Sequence, residues 1–123
     1  MTTYDIGTGQ MKVLRVLWEK KRATAQEITD ILNASEPVKF STVSTFLRTL
    51  VKKGVIGYDV DQRTFIYYPL VEEETIARHA VNNLVNHVFS GSLRGFMSFI
   101  IKGKDLSPDD IDDIRNLLNE KDR

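Results

Sequence analysis

Cysteine is absent from this chain of 123 residues, which removes disulfide staples, thiolate metal sites and cysteine nucleophiles together. An excess of charge is also lacking, because 17 Lys and Arg face 17 Asp and Glu; the chain is neither a polybasic coat nor an acidic tail. No apolar run approaches the roughly 18 residues of a membrane span. Met1 to Gln10 lacks the charged start and apolar stretch of a signal peptide, so cytoplasmic residence without membrane insertion is expected. Chemistry-bearing constellations are missing as well. Gly7-Thr8-Gly9 lacks the remainder of a dinucleotide fingerprint, and no nucleophile has a base at motif spacing. His79 and His87 stand eight residues apart, beyond the i, i+4 spacing that brings two ligands to one metal. Glu72-Glu73-Glu74 is explained by the preference of helix starts for acids. No catalytic residue, cofactor or metal is expected, and the chain reads as something other than an enzyme.

What is present is an ordinary globular composition, 41% hydrophobic and 28% charged, sufficient for one domain, or for one small domain plus an appendage. The charge is unevenly placed. Residues 1–70 carry ten basic and seven acidic side chains, and residues 71–123 carry seven and ten. A polyanion would therefore meet the first part, although a difference this small is weak on its own.

Met11, Leu14, Leu17 and Trp18 recur at helical spacing and predict a first helix over about 8–19, ending at Lys20-Lys21-Arg22. Thr24-Ala25-Gln26-Glu27 is a capping box that opens a second helix, with Ile28, Ile31 and Leu32 inward. After a loop containing Pro37, Ser41 is the expected N-cap of a third helix, and Gly54 its stop. Val43, Phe46, Leu47, Leu50 and Val51 form its apolar stripe. Its other face, Thr42, Ser44, Thr45, Arg48, Thr49 and Lys52, is short-chained and basic and holds no acid. Val55 to Tyr58 and Thr64 to Tyr68 read as two strands joined through Asp59 to Arg63, with Pro69 closing the hairpin. Three more helices follow. The fourth begins near Glu72, the fifth runs from Leu93 towards Gly103, and the sixth starts at Ser107-Pro108-Asp109-Asp110, where cap, N1 proline and first-turn acids coincide.

The expected fold is thus mainly α with a small β-hairpin: a winged helix-turn-helix DNA-binding domain over 1–71, then a helical dimerisation domain over 72–123. In that arrangement the helix at 41–53 lies in a major groove and the wing at 55–68 touches the flanking backbone. Thr42, Ser44 and Thr45 are short enough to bring the helix close to base edges. Arg48, Lys52, Lys53 and Arg63 are expected as phosphate partners or, for Arg48, a guanine reader, and Thr49 completes the face. A solvated helix of no special purpose can carry such a face, and Lys52-Lys53 can simply complement the helix dipole; the hairpin directly after it is what favours DNA. Residues 72–120 are too few to stabilise themselves. Leu84, Val88, Leu93, Phe96, Met97, Ile100, Ile114, Leu117 and Leu118 are therefore assigned to a twofold interface, with packing onto the first domain as the alternative.

Val13-Leu14-Arg15-Val16-Leu17-Trp18-Glu19, Ser41-Thr42-Val43-Ser44-Thr45, Leu50-Val51-Lys52-Lys53-Gly54 and Phe65-Ile66-Tyr67-Tyr68-Pro69-Leu70-Val71 appear in an order that resembles the BlaI/MecI/CopY family of penicillinase and methicillin-resistance repressors. Phe89-Ser90-Gly91-Ser92 and Asp105 to Ile111 extend the resemblance over nearly the whole chain. It implies a homodimeric transcriptional repressor on a palindromic operator, often built on TACA and TGTA half-sites. Thr42 and Thr45 match the family's recognition-helix threonines, and Lys52-Lys53 its basic helix end. Ser44 stands where the family often has arginine or asparagine. Thr49 stands where it often has arginine, with Arg48 one place earlier. Penicillinase-type relatives are released by a sensor-protease system that cuts an Asn-Phe bond in the fifth helix; the aligned pair here is Phe99-Ile100, without the asparagine. The cysteine cluster of copper-responsive relatives is absent. Two other classes stay open: a winged-helix protein interaction module, and a small-molecule-sensing regulator of another winged-helix family.

Overall fold

In a computed structural model, which describes residues 2–103 and 105–122, the chain forms six helices and three strands among the described residues. Helix α1 spans Thr8–Lys20, β1 Ala23–Thr24, α2 Ala25–Asn33, α3 Phe40–Lys52, β2 Ile56–Asp61 and β3 Thr64–Pro69; α4 covers Glu73–Val88, α5 Leu93–Gly103 and α6 Pro108–Lys121. The strands make one antiparallel sheet in the order β1-β3-β2.

The sequence dictates most of these boundaries through caps. Thr24 Oγ1 accepts the Glu27 backbone N–H at 3.1 Å while Glu27 Oε1 accepts the Thr24 N–H at 2.9 Å, closing the capping box of α2. Ser107 and Asp110 do the same for α6, with Pro108 in its first turn. At α3 the start differs from expectation. Lys39 is the N-cap, without a side-chain cap bond, and Ser41 lies inside the first turn on the exposed face. The reason is local: Asn33 Oδ1 takes the Val38 N–H at 2.7 Å, and the Lys39 carbonyl already accepts from Thr42 and Val43.

The hairpin is also tighter than the aspartates suggested. β2 continues to Asp61, which pairs with Thr64, leaving a connection of only Gln62 and Arg63, both at positive φ (48° and 71°). Two residues with φ > 0 give the turn whose twist matches a two-stranded ribbon. Cross-strand contacts justify the longer strands, since Val60 opposes Phe65 and the Tyr58 and Phe65 rings stack at 4.8 Å. Pro69 ends β3 opposite Ile56 rather than following the strand, and β1 reaches only Tyr67 and Ile66, so no ladder bond is demanded of it on that side. β1 itself, two residues between α1 and α2, carried no sequence signal.

The chain divides into two compact units, 1–82 and 83–123. In the first, Leu14, Leu17, Ile28, Val43, Leu47, Leu50, Val55 and Ile56 are essentially inaccessible and Ile76 of α4 joins them. Met11, Trp18 and Leu32 pack against this core without being fully buried, and Trp18 Nε1 donates to the Val71 carbonyl at 2.9 Å. Ile31, expected inward, is exposed; Thr29 is buried in its place and returns its hydroxyl to the Ala25 carbonyl at 2.7 Å. In the second unit, Val85 and Phe96 are the buried apolar residues, and Phe89 sits between Phe96 and Phe99 at ring separations of 5.5 and 5.6 Å. Helix α6 buries none of its residues.

Candidate nucleic-acid interface

Helix α3 turns Val43, Leu47 and Leu50 into the core, and its periodicity then leaves Ser41, Thr45, Arg48 and Lys52 on the outward face, flanked by half-buried Thr42, Ser44 and Thr49. Two hydroxyls on this face are already engaged. Thr45 Oγ1 donates to the Ser41 carbonyl and Thr49 Oγ1 to the Thr45 carbonyl, each at 3.0 Å. Arg48 Nη2 donates to Thr45 Oγ1 at 3.2 Å. Thr45 consequently presents a methyl group outward and tethers Arg48, whose remaining N–H groups stay available for an acceptor pair such as guanine O6 and N7.

Of the basic residues expected at the interface, the structure brings Arg48 and Lys52 together on α3 and puts Arg63 at the tip of the wing. Neither Lys52 nor Arg63 has an ion pair among the described residues. Lys53 is placed differently. Its ammonium donates to the Asp5 carbonyl and to Gln10 Oε1 at 2.7 Å, and its own carbonyl accepts the Thr3 N–H. It binds the N-terminal segment to the end of α3. His79 serves the same segment, with its ring edge-on to Tyr4 at 5.5 Å and Nε2 3.3 Å from Asp5 Oδ1.

Beside α3 the wing shows two faces of opposite character. Tyr58, Val60, Phe65 and Tyr67 share one, by their pairing in the ladder. Asp59, Asp61 and Tyr68 share the other, where Arg22 binds Asp59 at 2.6 Å and lies over the Tyr68 ring at 5.1 Å. The aromatic face meets Ser44 of α3 and the first turn of α2 in a cleft of about 410 Å³, which Phe40, Phe65 and Arg63 also line. Tyr67 also lines it. Burial pushes the Tyr67 phenol above its ordinary pKa, Tyr58 adds to this and Arg48 opposes it, so the hydroxyl keeps its proton. Sequence reading assigned no role to Phe40, Tyr58, Phe65 or Tyr67; the signal it passed over was aromatic residues on the short free strands of a hairpin that has no second layer to cover it.

Among the described residues no group of His, Asp and Glu is arranged to hold a metal ion, and no helix is long and apolar enough to cross a membrane. In the second unit, Leu84, Val88, Leu93, Met97, Ile100, Leu117 and Leu118 are all exposed, Ile114 is half-buried and Phe96 is buried.

These features have counterparts in known proteins. Over 119 residues the chain is 34% identical to the methicillin resistance regulatory protein MecI of Staphylococcus aureus strain N315, covering 97% of each chain. It is 23% identical to the penicillinase repressor of Bacillus licheniformis over 116 residues, 94% of this chain and 91% of that one. The solution structure of the DNA-binding domain of the repressor BlaI superposes with a TM-score of 0.54 at 26% identity, covering 59% of this chain and 90% of that domain, which identifies the three helices and sheet as a winged helix. The model of the penicillinase repressor family matches residues 6–120, and the chain belongs to that family of DNA-binding, non-enzymatic transcriptional repressors.

Proposed function

We propose that this repressor occupies a palindromic promoter operator as a homodimer, with α3 in the major groove and the wing on the adjoining backbone. The observation that carries the reading is the acid-free outward face of α3, where Thr45 holds Arg48 beside Lys52, next to a wing tipped by Arg63. Thr42, Ser44 and Thr49 flank that face and act at base edges; Lys53 contributes by fixing the N-terminal segment against the helix end. The DNA-binding part ends near residue 71 and the dimerisation part begins at 72. Exposed Leu117 and Leu118 on a helix without buried residues support pairing through a second copy, together with Leu84, Val88, Leu93, Phe96, Met97, Ile100 and Ile114. Release occurs by a sensor-protease system that cuts within α5. Phe99 is two-thirds exposed there, and severing a helix that contributes Met97 and Ile100 would weaken dimer and operator binding together.

The test is fluorescence anisotropy of the full chain at near-physiological salt, on a TACA/TGTA palindrome and on a scrambled duplex of equal length. Tighter binding to the palindrome supports the reading. Equal, salt-dependent binding keeps the DNA contact and moves the operator sequence, as Ser44 and Thr49 in the recognition face would do. Absence of binding to either duplex favours a protein interaction module. A small-molecule-responsive version of the same repressor draws on a separate cavity of about 470 Å³ between α1 and α3, with Val16, Leu32, Val38 and Phe46 as apolar lining and Thr42 at its edge. Release of the palindrome by a small apolar carboxylate would establish it.

A further inference from the structure

Ahead of α1, Tyr4 and Ile6 pack on the core of the first unit while Thr3 and Asp5 between and before them stay exposed. Three helices are tied to this segment. At the C-cap of α3, the Lys53 carbonyl accepts the Thr3 N–H at 2.7 Å and the Lys53 ammonium donates to the Asp5 carbonyl. In the first turn of α1, Gln10 Oε1 accepts both the Gly7 N–H at 3.3 Å and the Lys53 ammonium at 2.7 Å. On α4, the His79 ring stands edge-on to Tyr4 at 5.5 Å, with Nε2 3.3 Å from Asp5 Oδ1. Residues 3–7 are therefore a strap from the end of α3 to α4, and Asp5 serves both ends of it, its carbonyl meeting Lys53 and its carboxylate His79.

The strap matters most to α4. Among the described residues of its part in the first unit, 73–82, Ile76 alone is buried and His79 alone half-buried. Val71, just ahead of the helix, is tied to Trp18 Nε1, and Ile76 enters the core. These fix where α4 begins, but a helix attached only by its first turn can still swing. His79, three residues on and about 4.5 Å further along the axis, supplies the second point of attachment, and two points fix a line. The same helix then continues without a break to Val88, beyond the end of the first unit. We infer that Tyr4, Asp5 and His79 are specificity-determining positioning residues: they set the direction in which α4 leaves the DNA-binding unit, and with it the spacing of half-sites that the dimer accepts. This rests on the dimeric repressor reading and adds to it the residues that select operator geometry without touching DNA. A fixed pair of α3 helices fits one spacing, because each base pair between half-sites turns them by about 34° around the DNA axis. A pair carried on swinging helices fits several spacings, each more weakly, since ordering the helices then costs entropy on binding.

The deciding experiment compares the full chain with the Tyr4→Ala/His79→Ala double variant and with Tyr4→Phe, which keeps a ring beside His79, after circular dichroism has shown that each is folded. Anisotropy is read on a single half-site, on the palindrome used above, and on that palindrome with two base pairs inserted at its centre. The parent chain should lose about tenfold in affinity on insertion. The double variant should match the parent on the single half-site, bind the palindrome about tenfold more weakly, and lose less than about threefold on insertion. Tyr4→Phe should follow the parent. Because the chain has no cysteine, Lys20→Cys at an exposed position of α1 takes one spin label per protomer. Pulsed electron paramagnetic resonance without DNA then reads the distance between the two labels, and its distribution should broaden in the double variant. An unchanged distribution or an unchanged insertion penalty would overturn the inference and leave the repressor reading intact. Weakening by one common factor on all three duplexes would make the strap a cover for the core, and would overturn the inference as well. A parent chain that gives no distance between protomers, or binds no duplex, would overturn the dimeric repressor reading and the inference with it.

Discussion

Thr45 shows how a single side chain acts through its neighbours. Its hydroxyl donates to the Ser41 carbonyl and accepts from Arg48, leaving the methyl group as its outward surface. Thr45→Val keeps the methyl and releases Arg48, so discrimination at the base proposed for Arg48 should fall by about 1–3 kcal/mol while binding to scrambled duplex stays the same. Thr45→Ser keeps the tether and should lose only a thymine preference; anisotropy on singly substituted duplexes separates the two. Arg63 carries a second, opposing assignment. At φ 71° it occupies a backbone region in which a Cβ is unfavourable, and its side chain caps the wing. Arg63→Gly should therefore raise stability by about 1 kcal/mol in urea titration and weaken DNA binding, a division seen where strain is kept at a functional position. Tyr67 gives a pH effect of defined sign. Its folded pKa is raised, so near neutrality it is protonated whether folded or unfolded and contributes no slope. Above about pH 10 the unfolded chain loses the proton first, and stability falls as pH rises through the folded pKa. Tyr67→Phe should remove that alkaline loss, measured as the difference in urea midpoint between pH 9 and pH 11.

The elements legible in the sequence were those whose ends are written in side chains. The box at Thr24 and the cap at Ser107 were read correctly because each cap contact spans three residues and needs no tertiary information. Thr24→Ala should cost about 1 kcal/mol by urea titration, since it strands the Glu27 N–H at the start of a helix packed against α3 and its proposed DNA face. Where neighbouring loop contacts or strand pairing set the boundary, single-residue signals misled. Ser41 has the chemistry of a cap, but the loop from Asn33 had already satisfied the backbone upstream and moved it onto the exposed face. The aspartates at 59 and 61 have turn propensity, but pairing of Val60 with Phe65 and capture of Asp59 by Arg22 draw them into β2. The candidate site was legible to a similar degree. Thr45, Arg48 and Lys52 follow from helical period alone, whereas the engagement of Lys53 with the N-terminal segment joins residues 48 and 43 apart in sequence, which no short-range pattern encodes. The aromatic wall of the wing lay hidden because an exposed ring and a core ring are written with the same letter.

For the molecule as a whole, the imbalance between the two units has measurable consequences. The first contains a closed core; the second has two buried apolar residues and an α6 that buries none, with Leu117 63% and Leu118 62% exposed. Leu117→Glu should shift the chain from dimer to monomer in sedimentation velocity, and operator affinity should drop because two half-sites are no longer bound by one linked particle. An unchanged dimer would contradict the assignment of α6 to the interface. The distribution of chromophores follows the same division. Trp18 is the only tryptophan, anchored by its indole N–H to Val71, and all four tyrosines, at 4, 58, 67 and 68, fall in the first unit. Beyond residue 82 the aromatic side chains are phenylalanines alone. The second unit is thus optically silent at wavelengths above 290 nm, and the native protein carries its own one-sided label: intrinsic fluorescence follows the DNA-binding end by itself, far-ultraviolet circular dichroism follows both ends, and any gap between the two melting curves measures how far the ends unfold independently.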